Sequence, residues 1–396
     1  MGEVGVVERY LELGLRLGKH IDGFVDAYFG PGDIKARVGA EPPDPPAKLA
    51  ADSKRLLADI DDADLDASRR HFLRGQVQGL RTTARKLAGD PIGYYDEVET
   101  SYGVRPQKVP EDVFAEAHAR LDATLPGTGP LAERLNAWRE TQIVPTDTLR
   151  AAVSSIAEDL RERTGRQFGL PDGERVEFDL VTDQPWSGFN YFLGDLRSRV
   201  AINTDLPVLS SSLAHLVAHE SYPGHHTEHC RKEVGLVRRR KQLEETIFLV
   251  GTPQCLIAEG LADLGLEVVV SGDHDERAAF AAGHLEPLGV PYDTDVVATV
   301  SKASDGMGYV RGNVAILLHE EGADVDDAIA YLERWSLLPP KRAEKAVEFL
   351  TDPTWRAYMT CYVEGLPLCR AFVGGDPARF ERLITEQLTP DQLAPA

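Results

Sequence analysis

The sequence predicts a mainly α-helical protein with a small β-sheet. Apolar residues recur at helical spacing through most of the chain, as Val7 and Leu11 do in the first predicted helix. Two short stretches, 174–181 and 198–203, alternate polar and apolar residues, which is typical of strands with one buried face. Helical spacing returns after Pro207, so the predicted sheet is confined to the middle of the chain.

The predicted helices follow one another with short connections. After the first helix come a proline-rich stretch at 41–46, helices at about 47–62 and 66–88, and three more between 110 and 164. Beyond the strands, helices are predicted at 209–222, 237–249, 254–270, 308–320, 324–335, 340–350 and 354–372. We expect an N-terminal helical region, 1–170, and a region with the functional residues, 171–396. They should form two lobes that share one cleft.

Composition and charge exclude several classes of partner. The chain of 396 residues carries 64 acidic and 43 basic side chains, which gives a formal net charge of −21. Because such a surface repels phosphate backbones and anionic lipids, we expect neither nucleic acid nor a membrane as a partner. The N-terminus lacks the pattern of a signal peptide, and no run of about 18 apolar residues is present. Four cysteines without C-x-x-C spacing favour a cytoplasmic protein.

Histidines are concentrated in one segment, HLVAHESYPGHHTEH, which begins at His215. The pair His219–Glu220, with further histidines shortly after it, is similar to the H-E-x-x-H helix of metallopeptidases. In that helix two imidazoles one turn apart bind Zn²⁺, and the glutamate next to the first one activates a water molecule. The segment therefore predicts a zinc site with His219 as a ligand and Glu220 as the catalytic base.

The second histidine ligand does not follow the regular spacing. The residue four after His219 is Pro223, which cannot bind a metal and which interrupts helical hydrogen bonding. On an ideal helix His225 lies about 240° around the axis from His219, whereas His226 lies on the same face but about 10 Å farther along. A bulge at Pro223–Gly224 that absorbs two residues brings His225 to the metal, and one that absorbs three brings His226. We favour His225.

Two other interpretations of the cluster stay open. His215 and His219 are four residues apart and can bind a metal as an H-x-x-x-H pair on an unbroken helix. Alternatively, the histidines bind no metal and are simply hydrogen-bonded at the surface. We favour the zinc site because H-E-x-x-P-G-H-H at a helix break is a far more specific pattern than a lone H-E.

A third protein ligand is expected, because a catalytic zinc usually has three and keeps one position open. The segment CLIAEGLADLGLEVV, 255–269, is an apolar helix interrupted by Glu259 and Asp263, four residues apart on one face. A carboxylate on an apolar helix face is costly unless it is paired or bound to a metal. These two acids are therefore the candidates; the alternative is a helix with two solvated acidic residues.

Three segments, SRVAINTDLP, HESYPGHH and AEGLAD, together resemble the bacterial family called domain of unknown function 885, which is grouped with the gluzincin metallopeptidases. The resemblance covers about 180–375. The family pattern H-E-x-x-P-G-H matches His219 to His225, and E-G-W-A matches Glu259 to Ala262 with leucine in place of tryptophan. A Tyr, Gly and Arg near the C-terminus of the family match Tyr362, Gly365 and Arg370.

The resemblance implies a gluzincin-like, two-lobed metallopeptidase with the metal cleft between the lobes. The implied zinc ligands are His219, His225 and Glu259, and Asp263 would hydrogen-bond a ligand histidine. Tyr362 would donate a hydrogen bond to the carbonyl oxygen of the substrate as negative charge develops there. The alternative is a tyrosine that only packs in the core.

Two further residues are candidates for contact with the substrate. In gluzincins a strand before the metal helix borders the cleft and pairs with an extended substrate, which implies such a role for Asn203 and its neighbours. A plain structural strand is the alternative. Arg311, in the glycine-rich stretch SDGMGYVRGN, can bind a substrate carboxylate through two hydrogen bonds or form a structural salt bridge.

The leading hypothesis from the sequence is a zinc-dependent hydrolase that cleaves a peptide bond by Glu-assisted attack of water. Two alternatives stay open. The same metal site can act on a small amide or another metabolite, or it can belong to a binding module without turnover. The glutamate beside the first ligand argues against the binding module.

Overall fold

Helices make up most of the described chain, which in this computed structural model comprises residues 3–184 and 186–394. The N-terminal half contains α1 (Glu3–Leu17), α2 (Gly32–Ala40), α3 (Pro46–Asp61), α4 (Ala67–Leu87), α5 (Tyr94–Tyr102), α6 (Glu111–Thr124), α7 (Leu131–Thr141) and α8 (Thr146–Phe168). The C-terminal half contains α9 (Ser210–Glu220), α10 (His225–Lys232), α11 (Pro253–Val269), α12 (His274–Leu285), α13 (Thr294–Met307), α14 (Val310–His319), α15 (Val325–Trp335), α16 (Pro340–Thr351), α17 (Met359–Val373), α18 (Pro377–Thr385) and α19 (Pro390–Leu393). A π-helical segment (Glu233–Arg239) continues α10, and 3₁₀ turns lie at Leu243–Thr246 and Glu286–Leu288.

The described strands form two small sheets. They are β1 (Val25–Tyr28), β2 (Arg175–Val181), β3 (Gly188–Gly194), β4 (Arg197–Asn203) and β5 (Ile247–Leu249). In the larger sheet β4 is central, parallel to β2 and antiparallel to β3; in the smaller one β1 and β5 are antiparallel. A mainly α-helical protein with little sheet is therefore confirmed, although β1, β3 and β5 were not predicted.

The helix predicted at 237–249 is wrong. The chain leaves the helix at Lys241, whose φ of 61° does not continue an α-helix. A 3₁₀ turn then leads into β5, where Ile247 and Leu249 are buried among residues of α1 and α4. The apolar residues of this stretch do mark burial. Pairing with β1, which is distant in sequence, decides the backbone conformation.

Buried side chains form three apolar cores. One joins α1, α3 and α4 to β5 of the smaller sheet, and a small one joins α6, α7 and α13. The largest core gathers residues of α8, α9, α11 and α17 with the larger sheet. All three cores draw residues from either side of residue 170. The division into 1–170 and 171–396 and the two-lobed arrangement stay predictions.

Two glycines allow α11 and α17 to touch backbone to backbone. A Cβ on Gly260 would overlap the carbonyl group of Gly365, and a Cβ on Gly365 would lie 2.7 Å from the backbone oxygen of Leu256. Only glycine fits at such a crossing. The close approach brings the N-terminal end of α17 next to Glu259, which lies one residue before Gly260 on α11.

Candidate metal centre

A break between α9 and α10 folds the histidine cluster back on itself. Helix α9 ends at Glu220, four residues follow in a turn, and α10 begins at His225. The backbone N–H of Gly224 donates to the carbonyl of Ala218 over 3.0 Å. A Cβ on Gly224 would collide with the backbone of His219 and lie 2.6 Å from the Ala218 oxygen, so this turn requires glycine. The turn returns the chain towards the end of α9.

Three possible ligand atoms converge at this break. The Nε2 atoms of His219 and His225 lie 3.1 Å apart. The Glu259 carboxylate lies 3.5 Å from His219 Nε2 through Oε2 and 4.0 Å from His225 Nε2 through Oε1. Ligand atoms about 2.1 Å from one tetrahedral ion are separated by about 3.4 Å, so these distances fit the donor set of a zinc site.

The environment of Glu259 also fits a bound cation. The residue is 7% exposed, and its Oε2 atom has no hydrogen-bond partner among the described residues. A buried carboxylate oxygen without a partner is unfavourable, and a divalent ion between it and the two imidazoles supplies that partner. Burial lowers the pKa of His225 to about 4, with a further contribution from His219. The imidazole of His225 is therefore neutral, as a ligand must be. Although burial lowers the pKa of His219, its hydrogen bond with Asp263 raises that pKa, so a metal ion has to displace a proton there.

His226 lies away from this donor set. It is fully buried, with Nδ1 2.8 Å from Ser198 Oγ and Nε2 2.8 Å from Glu174 Oε2. The hydroxyl group of Tyr222, in the turn itself, donates to the same Glu174 oxygen over 2.7 Å. These contacts join the turn to β4 of the larger sheet and to the residue that precedes β2. The geometry therefore brings together His219 and His225, and gives His226 a place in a buried hydrogen-bond network.

Asp263 orients the first histidine. Its Oδ1 atom accepts a hydrogen bond from His219 Nδ1 over 2.8 Å, which leaves Nε2 directed towards His225. The same oxygen lies 3.3 Å from Nε2 of the half-exposed His215. His215, His219 and Asp263 are thus a second group that could hold a metal. These three residues lie close together because the carboxylate of Asp263 interacts with the imidazoles of both His215 and His219.

Glu220 is buried beside the donor set. An added Cβ on Gly188 of β3 would lie 3.1 Å from its Oε1 atom, so the carboxylate lies against this glycine. The side chain of Asn190, also on β3, donates to the backbone oxygen of Glu220 over 2.6 Å and fixes the end of α9. Burial raises the pKa of Glu220 to about 7, and the charges of Glu259 and Asp263 act in the same direction. The group is suited to accepting a proton near neutral pH.

Two tyrosines at the start of α17 form a chain of hydrogen bonds that begins at Glu259. The hydroxyl group of Tyr358 donates to Glu259 Oε1 over 3.0 Å and lies 3.1 Å from the hydroxyl group of Tyr362. Tyr362 is 44% exposed, so it borders the open side of the site. Sequence reasoning missed Tyr358, although its position four residues before Tyr362, on the same helical face, is a usable signal.

Asn203 and Arg311 lie in different surroundings. The Asn203 amide donates to the backbone oxygens of Gln184 and Trp186 over 2.9 and 3.0 Å, so these bonds hold the chain after β2. Arg311 is exposed at the start of α14, with Tyr362 as an electrostatic neighbour. No carboxylate of the described chain forms an ion pair with Arg311. Contact of either residue with a substrate stays a prediction.

Comparisons with known proteins support the fold. No family model matches the chain, and no curated protein matches it. A candidate lipoprotein from Colwellia psychrerythraea is similar in structure, with a TM-score of 0.54 and 16% identity over 87% of this chain. The match spans 65% of that structure, so this chain covers less than two thirds of its length. This likeness shows a shared fold.

Two further structures match less well. A candidate lipoprotein of unknown function from Shewanella oneidensis has a TM-score of 0.42 and 11% identity, over 88% of this chain and 71% of that one. The metallocarboxypeptidase 1 of Trypanosoma cruzi has a TM-score of 0.39 and 12% identity, over 98% and 92%. Neither supports a conclusion about this chain. The resemblance to the domain of unknown function 885 family rests on the sequence motifs alone. In the described chain, no helix is long and apolar enough to cross a membrane.

Proposed function

We propose that this protein is a zinc-dependent peptidase of the gluzincin type. The observation that carries the proposal is the convergence of His219, His225 and Glu259 on one point, with the buried carboxyl group of Glu220 beside them. A structural zinc site is usually closed by four protein ligands, whereas three ligands with a neighbouring base are typical of hydrolytic sites. We therefore favour catalysis over a non-catalytic metal-binding role.

Each residue of the site has its own role in the proposed hydrolysis. His219, His225 and Glu259 would hold the ion, which polarises the scissile carbonyl and makes water acidic when it is bound. Glu220 accepts the proton of the attacking water and later delivers it to the leaving amine. Asp263 holds the His219 imidazole in one tautomer, with Nδ1 protonated.

The tyrosine pair provides a donor for the developing oxyanion. Tyr358 is engaged with Glu259, and its hydroxyl group also meets that of Tyr362. Tyr362 lies on the exposed side, where a substrate carbonyl enters, so its O–H donates to the oxygen as negative charge develops. Burial raises the pKa of the Tyr358 phenol well above the usual value, and the charge of Glu259 adds to the rise, so this phenol keeps its proton at neutral pH.

The remaining assignments belong to the same proposal. Arg311, which has no ion-pair partner among the described residues, binds a carboxylate of the substrate, and Asn203 borders the cleft. The partner is a peptide or a small amide, with no role for nucleic acid or a membrane. We assign the protein to the cytoplasm, where its four free cysteines would stay reduced.

Cleavage of a peptide library by the zinc-loaded protein tests this function. We expect new peptide termini with the wild type and at least about 100-fold slower cleavage with Glu220→Gln. Glu177→Gln on the exposed side of β2 is the matched control and should cleave at the wild-type rate. A zinc-loaded wild type that leaves every peptide intact but hydrolyses small amides would replace the peptidase proposal with the narrower amidase.

A further inference from the structure

Asp26 occupies an irregular position in the smaller sheet. The pairing of β1 with β5 shifts register between Val25 and Ala27, so Asp26 is the extra residue of a β-bulge. Bulges redirect a side chain out of the regular alternation and are frequent beside active sites. Strand β1 also lies against β3, and the ring of Phe29, directly after β1, meets that of Phe192 edge to face with centroids 5.1 Å apart. Asp26 therefore lies on a strand packed beside the metal centre.

The carboxyl group of Asp26 lacks a partner. Its electrostatic neighbours are the acids Glu259 and Glu220 and the thiol of Cys255, which lies one turn before Glu259 on α11. No hydrogen bond or ion pair engages Asp26 within the described chain. Asp26 is half-buried. Because no group of the described chain pairs with this carboxylate, a cation that arrives with the substrate can do so.

A cavity with a volume of about 130 Å³ adjoins the same strand. Its apolar wall includes Phe24, two residues before Asp26, together with Tyr102, Val250, Trp355 and Ala357. Tyr358 also lines this cavity while its hydroxyl group bonds to Glu259, so the cavity and the metal centre share a residue. Its polar side carries Lys86 and Glu97, which are paired with each other. The cavity is small compared with pockets for drug-sized ligands and suits one side chain.

We propose that Asp26 binds the free α-ammonium group of the N-terminal residue of a peptide, whose side chain enters the cavity lined by Phe24 and Tyr358. The proposal rests on the proposed peptidase function and makes it an aminopeptidase. In an N-terminal residue the nitrogen is one carbon atom away from the scissile carbonyl. A group that binds this nitrogen must therefore lie beside the metal ligands, as Asp26 does. The side-chain ammonium group of a lysine is the other source of the same chemistry.

Matched peptides separate these sources. We would compare a pentapeptide with N-terminal leucine and no lysine or arginine, its N-acetylated twin, and an N-acetylated twin with lysine at the first position. The zinc-loaded wild type should cleave the first bond of the free peptide with a kcat/KM about 100-fold above that of either acetylated peptide. Asp26→Asn should remove most of this preference by slowing cleavage of the free peptide alone. Asp22→Asn, on an exposed residue of the preceding turn, should behave as the wild type.

The outcomes distinguish this inference from the function on which it rests. Equal cleavage of the free and acetylated leucine peptides, or an equal loss on both with Asp26→Asn, would overturn the role of Asp26 and leave the peptidase intact. Preference for the acetylated lysine peptide would reassign Asp26 to a side-chain ammonium group. Failure of the zinc-loaded wild type on all peptides would overturn both proposals. Zinc content and melting temperature of Asp26→Asn check its fold.

A measurement on the wild type needs no variant. Leucinamide carries a free ammonium group, and N-acetyl-leucinamide does not. We expect leucinamide to compete with the free peptide at a concentration roughly 100-fold lower than its acetylated form. Equal inhibition by the two compounds would overturn the proposal.

Discussion

The two adjacent histidines, His225 and His226, should separate metal binding from stability. His225→Ala removes a proposed ligand, so we expect it to abolish zinc binding. The imidazole of His225 is neutral and half-buried, and its loss removes one neutral hydrogen bond with His219, so the metal-free protein should change in stability by about 1 kcal/mol. His226→Ala should do the opposite, because His226 lies in a buried network outside the donor set.

The magnitude for His226 follows from its two hydrogen bonds. A hydrogen bond to a charged group, such as the Glu174 carboxylate, contributes about 1.5–3 kcal/mol to the free energy of unfolding. The hydrogen bond with the neutral Ser198 hydroxyl group contributes about 1 kcal/mol. Both partners stay buried when the imidazole is removed. We therefore expect His226→Ala to lower the free energy of unfolding by about 3 kcal/mol in the presence of a chelator.

Urea denaturation of the chelated proteins and zinc titration of the refolded ones check this pair. Chelation matters because zinc stabilises the folded state by mass action and would mix the two effects. The variant His226→Ala should bind zinc with nearly the affinity of the wild type at temperatures where it is folded. Loss of zinc from His226→Ala together with full binding by His225→Ala would refute the assignment of the ligands.

Other variants test the remaining roles. Glu220→Gln should keep its zinc and lose about 100-fold or more in kcat. Asp263→Asn should weaken zinc affinity about 10- to 100-fold in competition with a chelator, because the amide holds the ligand imidazole less strongly. Tyr362→Phe should keep fold and zinc and lower kcat more than it changes KM, since its hydrogen bond forms mainly in the transition state. Gly260→Val should lower the free energy of unfolding by about 3 kcal/mol in thermal denaturation, because its side chain overlaps the backbone of α17.

Each of these variants has an outcome that contradicts its premise. Zinc lost from Glu220→Gln would make Glu220 a ligand, and unchanged zinc affinity in Asp263→Asn would remove that residue from the support of the site. An unchanged rate in Tyr362→Phe would leave Tyr358 as the donor. Gly272→Val, at an open position with no atom within 4 Å of an added Cβ, is the control for Gly260→Val. Equal losses in both glycine variants would refute the argument from close packing.

The local pattern around the histidines was enough to predict which residues could meet at the site. Pro223 and Gly224 predicted a helix break. His225 was favoured over His226 because a bulge of two residues is enough to bring it onto the same face as His219. The acids on α11 could be found because a carboxylate on an apolar face needs a partner. These inferences depend on neighbours within one or two helical turns, which is where sequence spacing determines geometry.

The parts that escaped prediction depend on contacts between distant segments. The sequence pattern predicts a helix where β5 lies. The strand forms because this segment pairs with β1, which lies more than 200 residues earlier in the chain. Asp26 is unremarkable in the sequence, because only that pairing and its bulge place it near Glu259. Tyr358 could have been found by its spacing from Tyr362, but its bond to Glu259 depends on the crossing of α11 and α17.

The central claim is that His219, His225 and Glu259 form a catalytic zinc site, and metal analysis of the purified protein tests it most directly. We expect about one zinc per chain, loss of both metal and peptide cleavage on dialysis against a chelator, and recovery of both with Zn²⁺. His225→Ala should hold no zinc under the same conditions. Full hydrolytic activity in protein from which all metal has been removed would contradict the claim.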